Sequence, residues 1–102
     1  MSGYRLSIAA ERDIEDILRD TIERWGWLRA RAYGDGLHRT FEALAAAPDL
    51  GRRCDDIRPG YRRYGFGRHA IFYVEIARGV STVRVLHGRL DVRRHLRRGT
   101  AD

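Results

Sequence analysis

A chain of 102 residues with a single cysteine, Cys54, is sized for one domain spanning 1–102 and leaves no route to an intrachain disulfide or a cysteine-rich zinc site. All 20 basic residues are arginine, against 14 acids, and they are unevenly spread: residues 1–50 hold 7 arginines and 9 acids, residues 51–102 hold 13 and 5. A basic half of this kind calls for an acidic partner, and charge alone does not choose between a polyphosphate and an acidic peptide, since the guanidinium fork pairs with carboxylate and phosphate alike. The opening Met1-Ser2-Gly3-Tyr4-Arg5 has no signal-peptide apolar run, and no stretch approaches the ~20 apolar residues that cross a bilayer, so a cytoplasmic address without membrane contact is expected.

Tyr4, Leu6 and Ile8 alternate with Arg5 and Ser7, the period of a half-buried strand. From about Ala10 the period becomes helical: Ile14, Ile17, Leu18, Thr21, Ile22 and Trp25 share one face, and Glu11 and Asp13 put acid in the first turn, where the helix dipole favours it. Gly26 stops this helix. Trp25, which continues its apolar face, reads as core, and Trp27, off that face, as exposed.

A second helix is expected from about Leu28 to Ala46, with Tyr33, Leu37, Phe41, Leu44 and Ala45 on one face and Pro48 just past its end. Gly34 and Gly36 weaken it by roughly 1 kcal/mol each relative to alanine. The short gap between the two helices makes them an antiparallel hairpin.

Three strand-like runs follow, Tyr61 to Phe66, His69 to Ile76 and Val80 to His87, joined by Gly65-Phe66-Gly67 and Arg78-Gly79 as consecutive hairpins. In the middle run Ala70, Phe72, Val74 and Ile76 alternate with His69, Ile71, Tyr73 and Glu75. Both of its faces are largely apolar, as in a central strand covered on both sides: one side for the helices, the other open to a partner. The fold class expected is α+β: an N-terminal strand and an antiparallel helical hairpin packed on a mainly antiparallel sheet, with a basic C-terminal segment of about residues 89–102.

The four histidines, His38, His69, His87 and His95, form no HExxH and no zinc spacing, so no metal or other cofactor is expected. His87 and Asp91, four apart, would meet only as a surface contact on a helix, not as part of a triad. Around Pro59-Gly60 two readings stay open for Arg58, Arg62 and Arg63: local pairing with Asp55 and Asp56 at a turn, or a binding role.

Several stretches together resemble the ParE branch of the RelE/ParE toxin superfamily. They are Tyr4-Arg5-Leu6-Ser7, Thr21 to Gly26, Ala46-Ala47-Pro48-Asp49-Leu50-Gly51-Arg52, Ile57 to Arg62, His69 to Tyr73 and Val83 to Asp91. The resemblance covers about residues 4–96; the order and spacing of the pieces carry it. It implies the toxin of a type II toxin–antitoxin pair, held in a hetero-oligomer by a partly disordered ParD-like antitoxin, that poisons DNA gyrase by binding, with no catalytic residue of its own.

On that reading Arg58, Arg62, Arg84 and Arg89 meet the acids of the antitoxin. The basic stretch with Arg89, Asp91, Arg93, Arg94, His95, Arg97 and Arg98 touches gyrase or gyrase-bound DNA. The alternative is a RelE-like, ribosome-dependent mRNA endoribonuclease. Arg62, Arg84 and Arg89 would then clamp phosphate, and His87 or His95 would stand in for the tyrosine missing after Asp91.

Overall fold

The computed structural model describes residues 3–88. In chain order the elements are β1 (Gly3–Leu6), α1 (Ile8–Trp25), α2 (Trp27–Ala46), a 3-10 turn (Pro48–Leu50), β2 (Arg52–Arg53), β3 (Arg62–Phe66), β4 (His69–Ile76) and β5 (Gly79–His87). The strands make one sheet in the order β1-β5-β4-β3-β2, with β1 parallel to β5 and every other pairing antiparallel. The expected α+β architecture is the one found.

The first strand is shorter than its alternation suggests. Ser7 stops it, because its hydroxyl accepts from the Ala10 N–H at 2.9 Å as the helix cap and donates to Val83 O at 2.7 Å. One side chain thus starts α1 and ties that start to β5. Ile8, expected inside the sheet, is instead the first and exposed residue of α1.

β1 reaches β5 through the bare backbone of Gly79. Its φ of +138° suits glycine, and a Cβ there would lie 1.7 Å from Gly3 O. Gly36 is explained by a different approach: a Cβ would sit 2.6 Å from Phe66 Cζ, so the helix gives up some intrinsic stability to let that ring close on α2.

The main core lies between hairpin and sheet. Leu37, Phe41, Leu44 and Ala45 of α2 meet Ile71 and Tyr73 of β4 and Val80 and Val85 of β5, with Ile14 and Ile17 of α1 packed alongside. On the opposite face Ala70, Phe72 and Leu86 are covered by Cys54 and Tyr61, with Ile57 beside them. β4 is therefore buried on both sides, as its sequence requires, but part of the second side is closed by the chain's own 54–61 loop. That loop is held by Cys54 N–H to Tyr61 O at 2.9 Å and Gly60 N–H to Asp55 Oδ1 at 2.8 Å.

Trp25 corrects the sequence reading: it is 61% exposed, and Ile22 one turn before it is exposed too. The last turn of α1 overhangs the sheet, whose β4 and β5 end at His69 and His87. Helical periodicity fixes which way a residue points but not whether anything lies beneath it. Trp27 is exposed, as expected.

Tyr73, fully buried, locks the chain after the hairpin. Its hydroxyl donates to Pro48 O at 2.7 Å and accepts from the buried Gly51 N–H at 2.8 Å. Tyr73→Phe strips both groups of their partner and is expected to lower unfolding free energy by about 2 kcal/mol in a urea titration. A loss below ~0.5 kcal/mol would mean that the hydroxyl is not what holds this turn.

Candidate functional site

Of the four arginines expected to meet an acidic partner, the structure places three. Arg58 is exposed in the 54–61 loop. Arg62, on β3, is half-buried and donates from Nη1 to Gly51 O at 2.8 Å; it also lines a cavity of about 460 Å³ with Arg53, Pro59, Gly60, Tyr61, Val74 and Glu75. Of the two readings for Arg58, Arg62 and Arg63, local pairing is not what the structure has: none of the three pairs with a carboxylate among the described residues, and it is Arg53 that binds Asp55 at 2.8 Å. The Asp55 carboxyl is held below its ordinary pKa, first by the Gly60 N–H and then by Arg53.

Arg84 lies elsewhere and is already occupied. Its Nε and Nη2 donate to the two oxygens of Asp13 at 2.7 and 2.8 Å, and Asp13 Oδ2 also accepts from the Val85 N–H at 3.0 Å. Asp13, expected to serve the dipole of α1, sits past the first turn and closes the edge of β5 beyond the end of β1. The two side chains are only 18% (Arg84) and 13% (Asp13) exposed, so an incoming acid would have to displace Asp13. Arg62 and Arg84, on strands either side of β4, do not converge. Arg89, Asp91, Arg93, Arg94, His95, Arg97 and Arg98 lie outside the described residues.

A second group of polar side chains, unseen in the sequence, gathers under the overhanging tip of the hairpin. His69 and His87 are direct partners across β4 and β5, their rings meeting edge to face at 5.7 Å between centroids. The Tyr33 hydroxyl of α2 lies 2.6 Å from His69 Nδ1 and 3.1 Å from Phe66 O. The phenol has one proton and two acceptors within reach, Phe66 O and His69 Nδ1, so which partner donates across the short contact follows the tautomer of His69. The cavity around these rings, about 510 Å³, is also lined by Arg24, Trp25, Arg29 and Arg68. A neighbouring cavity of about 290 Å³, with Asp13, Asp16 and Asp20 on its α1 side, shares both histidines. No group of three or more metal-ligating side chains occurs among the described residues.

Burial, and after it the facing His87, hold the His69 pKa below its ordinary 6.5, while Asp20 pulls the other way. The fold therefore resists protonating this ring. The stability it contributes is complete above the unfolded value near 6.5 and is lost as pH falls through the lower folded value. NMR titration is expected to place His69 below 6.5, and His87→Asn to move it up without restoring 6.5, because burial persists. An unchanged midpoint in that variant would remove His87 as a cause.

Three comparisons bear on identity. Residues 4–92 match the profile of the family described as ParE toxin of type II toxin–antitoxin system, parDE. Toxin ParE1 of Mycobacterium tuberculosis is 45% identical over 96 residues, covering 93% of this chain and 98% of that protein. Toxin ParE1 of Caulobacter vibrioides is 38% identical, covering 94% and 99%. Among solved structures, a chain from the chromosomal ParDE toxin–antitoxin system of P. aeruginosa superposes with a TM-score of 0.71 at 13% identity, covering 85% of this chain and 96% of that one. At that identity the superposition speaks for the fold alone.

Proposed function

Because the chain belongs to the ParE toxin family of type II toxin–antitoxin systems, we propose that it arrests growth by poisoning DNA gyrase and is silenced by direct binding of a ParD-like antitoxin. The observation that carries this reading is 45% identity sustained over nearly the whole of both chains, with a family match from the first strand to past the last one. It acts by binding, in the cytoplasm, where its target works. No helix among the described residues is long and apolar enough to cross a membrane.

The ribonuclease alternative loses support from the geometry. It needs Arg62, Arg84 and Arg89 as an open phosphate clamp, and Asp13 holds Arg84 bidentately at the edge of β5.

The experiment is inducible expression of the full chain with and without its genetic neighbour antitoxin. Growth arrest relieved by the antitoxin supports the reading, and harmless accumulation of folded protein would make this an inert member that only binds its partner. In the complex, the antitoxin's disordered segment folds onto the toxin with its acids toward Arg58, Arg62 and Arg89, and toward Arg84 where it can compete with Asp13.

Arg58→Glu is the cleanest probe, because that side chain is exposed and pairs with no carboxylate among the described residues. It is expected to weaken antitoxin binding roughly tenfold at low ionic strength and much less at 0.5 M salt. Equal affinity at low salt would remove the charge contact from the proposal.

A further inference from the structure

The cleft beneath the hairpin tip gathers arginines and aromatic rings that the proposed antitoxin contacts do not use. We propose that it is a nucleotide-binding site, holding a phosphate between Arg29 and Arg68 and stacking a base on Trp25. Three guanidiniums, Arg24, Arg29 and Arg68, face one carboxylate, Asp20, and that carboxylate is already bound by Arg24 at 3.1 Å. Arg29 and Arg68 make no ion pair among the described residues, so two cations line a concave surface on which no described carboxylate pairs with them. Phosphate is the ligand such a fork pair recognises.

Trp25 supplies the second half of the chemistry. Its indole is 61% exposed at the rim, and the Arg29 guanidinium lies 5.0 Å from its ring centroid. An exposed indole beside a guanidinium is a stacking platform for a heterocyclic base and needs no sequence-specific hydrogen bond. The floor is the His69–His87 pair with Tyr33, a polar surface fixed by ring contacts and by the short Tyr33–His69 bond. The volume, about 510 Å³, is that of a small-molecule site. Arg29 and Arg68, unpaired among the described residues, place the phosphate at the hairpin tip; Asp13, Asp16 and Asp20 along α1 are each already bound by an arginine.

Free mononucleotides and a nucleotide within a single strand share this chemistry, and the assay separates them. The purified full-length toxin is titrated by NMR with AMP, ribose 5-phosphate, an oligo-dT strand and a poly-glutamate peptide. AMP is expected to bind roughly tenfold tighter than ribose 5-phosphate, with shifts at Trp25, Arg29, Arg68 and His69. Trp25→Ala should erase that difference while leaving the fold intact, since the side chain is exposed. The double variant Arg29→Glu with Arg68→Glu should weaken AMP by at least about tenfold.

An oligo-dT strand binding much tighter than AMP would identify a strand as the source, and equal or weaker binding a free nucleotide; both uphold the site. Equal affinity for AMP and ribose 5-phosphate, indifference to the arginine reversal, shifts from poly-glutamate alone, or no shift at millimolar AMP would each overturn it.

Discussion

Asp13→Ala is expected to remove about 3–5 kcal/mol from the folding free energy, a large share of what a domain of this size holds. One carboxylate satisfies three donors at once: two from Arg84 and the N–H of Val85. Its loss strands a guanidinium whose side chain is only 18% exposed and opens the edge of β5 past the end of β1. At roughly 4–8 °C per kcal/mol for a small domain, the melting temperature should fall by more than ~10 °C.

Asp13→Asn, which can still accept from Val85 N–H, should lose less. The paired variant Asp13→Leu with Arg84→Met should recover most of the loss, because removing both charges leaves none buried alone. A single-variant loss under ~1 kcal/mol would show that the pair behaves as an ordinary surface bridge.

The second large effect is on activity. A chain ending after Leu90 is expected to lose growth inhibition entirely while still binding the antitoxin and keeping its fold. The segment it lacks holds Arg93, Arg94, Arg97 and Arg98 within six residues, with Asp91 and His95 beside them and Arg89 just before. Such a run has the charge to meet an acidic protein face or the phosphates of gyrase-bound DNA. Among the described residues, all members of both hydrophobic clusters lie at or before Leu86, ahead of the cut. Growth arrest by the truncated chain as strong as by the full one would assign target binding to the described domain instead.

Much of the fold was legible because local pattern and tertiary need coincide. The uninterrupted apolar run Ala70 to Val74 can only be a strand covered on both faces, and both faces are covered. The helical hairpin followed from its periodic apolar residues and Gly26.

What escaped depends on contacts distant in sequence or on elements too short to have a period. β2 is two residues, Arg52 and Arg53, paired with Arg63 and Arg62, and no alternation announces it. Ser7 reads as a strand residue until Val83 O is seen to hold it. Asp13 and Arg84 are 71 residues apart, so an acid near a helix start looked like a dipole partner and an arginine on a strand looked free.

The pairing of the two cleft histidines escaped for the same reason: the sequence offers His87 only as a contact of Asp91 or a stand-in for the missing tyrosine. His69 and His87 are 18 apart and meet none of the known spacings, yet antiparallel register makes them neighbours. The available signal was positional, since each stands at the outer end of its strand beside the β3–β4 turn. Trp25 failed in the opposite direction: its periodicity was right, and the sheet beneath it had ended.

The most direct test of the central claim runs purified toxin in gyrase supercoiling and DNA-cleavage assays beside ribosome-dependent mRNA cleavage. Linear DNA accumulating with gyrase while the mRNA stays intact is the predicted result; cut mRNA with gyrase unaffected would contradict it.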